Sequence, residues 1–317
     1  MSCKTPVVFI VFRRPELTRQ VFDRIREARP PKLFVVADGP RNSDEAELCR
    51  QTRALTEQVD WPCEVVRDYS DKNMGARRRI SSGLDWVFAQ VERAIILEDD
   101  CLPDPSFFNY CDELLERYRD DDRVFSISGD NLQRGQVRGE ASYFFSNYFH
   151  GWGWATWRRV WKNYDHEMEG WPAFRDQRLE NFFSDPVEQT YWRSFLNDLS
   201  ASTFYTSAWD YIWMLTGWMH GGLTIQPNVN LVENTGFGVD ATNTTGTGGW
   251  IASRRAESID WPLTHPVEIA ADSHADRFIF DSVFPGNRLR RERKPGYRLK
   301  RWGWRMKNRL RGRTVVK

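Results

Sequence analysis

Long apolar runs are missing from this 317-residue sequence. None approaches the roughly 20 residues of a membrane-spanning helix, and Val7 to Phe12 is too short for the apolar core of a signal peptide, so the expected location is the cytoplasm. Cysteine is scarce as well: Cys3, Cys49, Cys63, Cys101 and Cys111 form no C-x-x-C pair and join no histidine cluster. That spacing excludes a structural zinc site and leaves reduced, mostly buried thiols. Glycine is absent where phosphate-binding loops need it. The first apolar run ends in Phe12-Arg13-Arg14-Pro15, which excludes a dinucleotide fingerprint or a P-loop, so any phosphate must be held by side chains.

Charge is present but unevenly placed. Residues 286–317 carry fourteen Lys or Arg against the single acid Glu292, which leaves −12 on residues 1–285 although the whole chain sums to +1. Tyr297, Leu299, Trp302, Trp304, Met306 and Leu310 are interleaved with those cations. This pattern suits an anionic membrane surface better than nucleic acid, and we expect a basic amphipathic tail that holds the protein peripherally on the cytoplasmic face of the inner membrane. A solubilising tail is the plainer alternative.

The first half alternates short β-rich runs with amphipathic segments. Strands are expected at Val7 to Phe12, Leu33 to Ala37, Cys63 to Val66 and Ala94 to Leu97, with helices from Pro15, from about Asp44, and across Ala76 to Gln90. That order implies a mainly parallel sheet covered by helices on both faces, and such sheets bind ligands beyond the carboxyl ends of their strands. From Val124 onward the pattern is less regular and rich in aromatics, with short strands at Arg123 to Ile127, Ser142 to Ser146 and Leu223 to Leu231. No repeat or linker interrupts the chain before about residue 285. One domain over 1–285 follows, with a nucleotide-binding half (1–130), an acceptor-side half (131–285) and the tail 286–317.

Chemistry-bearing residues cluster at the expected strand ends. Ala94-Ile95-Ile96-Leu97 delivers Glu98, Asp99 and Asp100 together, and adjacent acids at a sheet edge repel unless a cation compensates. Carboxylate oxygens suit Mn²⁺ or Mg²⁺, completed by substrate phosphates and water. A solvated turn is the bland reading of the same three acids. Asp104-Pro105 reads as a helix start before Phe107 to Tyr118. Arg14 can make bidentate contacts to a nucleotide, and Asp38, in the Asp38-Gly39-Pro40 turn, can accept from a pyrimidine N–H. Asp210 lies on an expected helix among aromatics, where desolvation raises a carboxylate toward general-base range.

Four tryptophans, Trp152, Trp154, Trp157 and Trp161, fall within ten residues. Trp154 and Trp157, three apart, suit one helical face, with one or two of the four lining an acceptor site; Trp154 is our candidate, with His150 and Trp209 beside it. The stretch from Asn234 to Gly249 is rich in Gly, Thr and Asn and reads as a lid carrying Gly236, Gly238 and Thr242.

Five segments carry a resemblance: Thr5 to Pro15, Ala37-Asp38-Gly39-Pro40-Arg41, Asn73-Met74-Gly75, Leu97 to Pro103, and Gly153-Trp154-Ala155-Thr156-Trp157. Together they resemble bacterial nucleotide-diphosphosugar transferases of the GT-A fold, similar in turn to the Golgi N-acetylglucosaminyltransferase that starts complex N-glycans. The resemblance spans about residues 5–245 and implies an α/β, Rossmann-like, mainly parallel sheet with an aromatic-rich acceptor side. It implies Asp100 as the metal ligand, Asp99 and Glu98 on the donor, and Arg14 and Asp38 at the uridine end. Arg78, in the Arg77 to Arg79 run, would also touch the nucleotide. Trp209-Asp210 resembles the pair that supplies the general base. Arg13 departs from the pattern, since related bacterial sequences often carry Asn there.

The expected activity is a metal-dependent, inverting glycosyltransferase that moves a hexosyl or N-acetylhexosaminyl group from a nucleotide diphosphate, UDP favoured, to a glycan or lipid-linked acceptor in surface-polysaccharide synthesis. Two other readings stay open. A nucleotide-sugar pyrophosphorylase would share the fold but needs a Gly-rich loop after the first strand. A non-catalytic carbohydrate- or membrane-binding protein would leave Glu98 to Asp100 without a purpose.

Overall fold

The computed structural model of the chain describes residues 2–201, 207–237 and 249–294. In the first half, strands Val7–Val11 (β1), Lys32–Ala37 (β2), Glu64–Tyr69 (β3) and Arg93–Glu98 (β4) alternate with helices Pro15–Ala28 (α1), Ser43–Leu55 (α2) and Ala76–Phe88 (α3). β1 is buried at every position, as a strand covered on both faces must be. α1 starts with Pro15 in its first turn and turns Val21, Phe22 and Ile25 inward. α2 is capped by Asn42, whose side chain accepts from the Glu45 N–H.

The chain continues through Cys101–Pro103 (β5), Ser106–Arg117 (α4), Val124–Ser128 (β6), Tyr143–Ser146 (β7), Trp154–Trp157 (β8) and Arg158–Trp161 (α5). Helices Trp171–Gln177 (α6), Leu179–Phe182 (α7), Pro186–Ala201 (α8) and Trp209–His220 (α9) follow. Leu223–Pro227 (β9), Val232–Asn234 (β10), Gly249–Ala252 (α10), Ser273–Ser282 (α11) and Gly286–Arg293 (α12) complete the described elements.

One eight-stranded sheet runs in the order β3-β2-β1-β4-β8-β6-β9-β7. β1 to β4 are mutually parallel; β8 lies antiparallel between β4 and β6, and β7 is antiparallel to β9. The sheet is therefore mainly parallel and flanked by helices, as expected of the GT-A type. β10 pairs with β5 in a small second sheet above the end of β4, with Asn234 opposite Cys101.

Two expectations are corrected. Trp154 and Trp157 lie on strand β8, not on a helical face, because the β-prone run Trp-Ala-Thr-Trp completes the hydrogen bonding between β4 and β6. The basic segment does not separate from the domain at residue 286. α12 packs against α8 and α11, and Arg290 pairs with both Asp185 and Asp281. The rest of the expected tail, 295–317, lies outside the described residues. Among the described residues no helix is long and apolar enough to cross a membrane.

Candidate active site

Parallel pairing of β1 with β4 sets Ile10 opposite Glu98, so the two strand ends bring Phe12 to Arg14 and Glu98 to Asp100 together. The Phe12 N–H donates to Asp99 Oδ2 at 3.3 Å. Arg14 spans two acids: one amino group donates to Asp99, and the other lies 2.9 Å from Asp100 Oδ2. Burial disfavours the Arg14 charge, but Asp99 and Asp100 more than offset it and hold its pKa above the ordinary arginine value. Burial pushes Glu98 up to about 8; Asp100 and Asp99 add to that rise, Arg14 opposes it, and Asp210 adds a further push. Asp99 is also raised by burial, against the pull of Arg14.

Three carboxylates thus share one guanidinium, and the remaining negative charge suits a divalent cation. Asp100 has the hard oxygen that Mn²⁺ or Mg²⁺ prefers and keeps 14% of its side chain exposed. Among the described residues, no group of three or more His, Cys, Asp or Glu converges on a metal position. The chain would therefore offer an ion few ligands and leave most of its shell to phosphate and water, the usual arrangement for Mg²⁺ at nucleotide sites.

Asp38 has a different task from the base contact expected of it. Its Oδ1 accepts from the N–H groups of Gly39 and Met74 (2.8 and 2.9 Å), and its Oδ2 from Asn73 Nδ2 and the Gly75 N–H (3.0 and 3.1 Å). Those four donors fill the acceptor positions of a carboxylate. Asp38 therefore organises the 73–75 loop that leads into α3.

The arginine run after that loop divides by position. Arg79 is buried and donates to the carbonyls of Ala37 and Asp68. Arg77 donates to the His166 carbonyl at 2.5 Å, while Arg78, the expected nucleotide contact, is exposed. Arg13 pairs with Glu45 at 3.2 Å, which ties the end of β1 to α2.

Asp210 stands in the first turn of α9, where burial raises its pKa to about 6 while the N–H groups of Tyr211 and Asp210 favour its charged form. It is close enough to Glu98 to raise that acid, so the fold brings together two groups 112 positions apart in the chain. Tyr164 tethers this turn: its hydroxyl donates to the Trp209 carbonyl at 3.2 Å, and its ring stacks on Trp161 at 4.6 Å. Arg77 and Asp210 both act electrostatically on the Tyr164 hydroxyl. Sequence reasoning missed Tyr164; its spacing of three from Trp161 was the available signal.

The aromatic expectations need correction. Trp154 is 1% exposed, and its neighbours are Trp209 (5.5 Å, stacked), Phe149, Trp161 and Trp213. Trp209 is 5% exposed in the same stack. Both rings are core: Trp154 lies on β8 in the middle of the sheet, and Trp209, on α9, stacks on it. His150 is buried too; desolvation pulls its pKa down to about 4, and its Nε2 has no hydrogen-bond partner. Trp152 alone of the four clustered tryptophans stays half-buried, edge-on to Phe237 with centroids 5.6 Å apart.

Of the three expected lid residues, Gly238 and Thr242 lie outside the described residues. Gly236 sits directly on the acidic cluster. A Cβ there would come within 2.0 Å of Asp100 Oδ2. Thr235 donates to the Asp100 carbonyl through its N–H (2.8 Å) and its hydroxyl (3.1 Å).

Residues 6–182, which hold Arg14, Asp38, the three acids and the tryptophan motif, match the GNT-I family, that of Golgi N-acetylglucosaminyltransferase I. The chain belongs to the GNT-I family. As a GNT-I-family member it is a nucleotide-sugar glycosyltransferase. Asp210 lies beyond the matched residues, so its place in the site rests on geometry. The chain is similar, at TM-score 0.36 and 12% identity, to mouse xyloside xylosyltransferase 1, over 69% of this chain and 84% of that one. It is similar to a UDP-glucose pyrophosphorylase complexed with UDP-glucose (0.32, 10%, 50% and 78%) and to HddC from Yersinia pseudotuberculosis (0.35, 10%, 51% and 80%). No curated protein matches the chain.

Proposed function

We propose that this GNT-I-family chain transfers a hexosyl or N-acetylhexosaminyl residue from a UDP-sugar to an acceptor hydroxyl with inversion, using Mn²⁺ or Mg²⁺ at Asp100. The observation that carries the reading is Asp210, a desolvated carboxylate with a pKa of about 6, near enough to the acidic end of β4 to act electrostatically on Glu98. At neutral pH it is ionised and can take the acceptor proton at a carboxylate oxygen. The amide donors of its own helix turn favour that charged form. Arg14, fixed between Asp99 and Asp100, supplies the chain's own positive charge next to the diphosphate. When bound, the metal neutralises charge developing on the leaving diphosphate. Direct displacement needs a base on the face of the sugar opposite the diphosphate; with Asp210 in that role, inversion follows.

The acceptor in this reading is a glycan or lipid-linked oligosaccharide of bacterial surface-polysaccharide synthesis. The cations of α12 and of residues 295–317 would hold the enzyme at an anionic membrane surface, since each one near such a leaflet contributes about 1 kcal/mol. The test is a panel of UDP-hexoses and UDP-N-acetylhexosamines with Mn²⁺ and simple glycoside acceptors, the product anomer being read by NMR. Inverted product that disappears in Asp210→Asn supports the reading; retained configuration, or turnover unaffected by Asp210→Asn, contradicts it.

A further inference from the structure

Two half-buried aromatic rings stand beside Asp100 and are unused in the account above. β10 pairs with β5 so that Asn234 lies opposite Cys101, and Thr235 is bonded to the Asp100 carbonyl. Gly236 then packs on the Asp100 carboxylate, and the next residue is Phe237. Its ring meets Trp152 edge to face at 5.6 Å and 81°, a right-angled corner of two half-buried rings. Trp152 is brought there by Gly153, whose φ of +61° turns the chain out of β8 and whose missing Cβ leaves room for Val232 and Leu97.

We propose that Trp152 and Phe237 form the subsite for a pyranose ring next to the diphosphate-binding acids, a proposal that rests on the transferase reading. A sugar ring has an apolar face of C–H groups and an equatorial rim of hydroxyls. The corner offers an indole face for the first, and Glu98 and Asp100 lie close by for the second. A pair that served packing alone would be covered like the nearby Trp154 and Trp209, which are buried in an aromatic cluster of their own. The indole also brings an N–H donor to the corner.

The test measures UDP, UDP-glucose and UDP-N-acetylglucosamine binding with Mn²⁺ by calorimetry, and methyl glycoside binding to the UDP-saturated protein by fluorescence. Unsubstituted protein, Trp152→Ala, Trp152→Phe and Phe237→Ala are compared. UDP affinity itself reports whether each variant is folded, and Trp152→Phe keeps a ring should the alanine variant fail to fold. A loss of about five- to tenfold in UDP-sugar affinity at unchanged UDP affinity, partly restored by Trp152→Phe, places the donor sugar in the corner. A comparable loss confined to methyl glycosides places the acceptor ring there. Unchanged binding of both ligand classes in variants that still bind UDP overturns the subsite alone. Unsubstituted protein that binds neither UDP nor a UDP-sugar overturns the transferase reading, and the subsite with it.

Discussion

The two halves of this fold treat their polar groups in opposite ways. On the side expected to hold the nucleotide, charge is matched by partners: Asp38 accepts three hydrogen bonds from the 73–75 loop and one from the Gly39 N–H, Arg79 donates to two carbonyls, and Arg13 meets Glu45. On the side expected to meet the acceptor, the cost of burial outweighs the favourable contacts at several ionisable groups. Desolvation raises Glu188 to about 7 and Asp210 to about 6, raises Asp276 to about 6 despite hydrogen bonds from Ser146 and Asn147, and lowers His150 to about 4. A site that must present fixed donors to a diphosphate gains from satisfied, rigid hydrogen bonding. A site that must take up a proton needs a group whose charge is only just tolerated. Glu98 lies at the seam and feels both Arg14 and Asp210.

Asp210→Asn breaks the comparison most severely. It keeps the shape of the group and removes its basicity, so kcat should fall about 10²- to 10⁴-fold while the KM for donor changes little. In the unsubstituted enzyme kcat should rise with pH through about 6 and then level, because the base works only when deprotonated. A pH profile that is flat from 5 to 8 speaks against this role.

Asp38→Ala attacks the paired half. Freeing the Met74 and Gly75 N–H groups and the Asn73 amide should cost about 1–3 kcal/mol in chemical denaturation and raise the donor KM. Stability equal to the parent would mean that the loop does not depend on Asp38. Gly153→Ala strains the seam: a Cβ there would meet Val232 Cγ2 at 2.7 Å on a backbone with φ +61°, and we expect a loss of about 1–3 kcal/mol.

Glu188→Gln probes the underpaired half more gently. Folding raises the Glu188 pKa from about 4.3 in the unfolded chain to about 7. Its folded-state advantage is therefore complete below the unfolded value and is lost as pH rises through the folded one. Gln can still accept from Tyr148 but carries no charge to bury, so the variant should gain melting temperature relative to the parent at pH 8 compared with pH 5. An identical difference at both pH values would contradict a strained charge. The smallest effect is expected from Arg290→Ala. It releases α12 from Asp185 and Asp281, but Arg277 still pairs with both, so the change in stability should stay under about 1 kcal/mol.

The paired half was the more legible in the sequence. β1 and β4 read as strands because continuous apolar runs bounded by polar turns leave few alternatives, and the three acids after β4 mark the strand end by their mutual repulsion. What failed was partner and face. Trp152 and Trp154 differ by two positions and look equivalent in composition, yet one lies in the central strand β8 and the other on the turn before it. Asp38 was recognised as an acceptor, but its donors come from residues 73–75, more than thirty positions away. The basic run from 286 looked like a tail separate from the domain, because the acids that hold Arg290 come from α11 and from the residue before α8. Long-range pairing of this kind leaves no local period to read.

If the acids ending β4 build the proposed metal-dependent nucleotide site, calorimetric titration of UDP will show it. The titration is run on the full chain with Mn²⁺, then with EDTA, then on Asp100→Ala with Mn²⁺. The account predicts tight binding in the first case and its loss in the other two. Binding that survives both EDTA and Asp100→Ala would contradict the metal site. Failure to bind UDP, GDP, dTDP and CDP alike would contradict the nucleotide site itself.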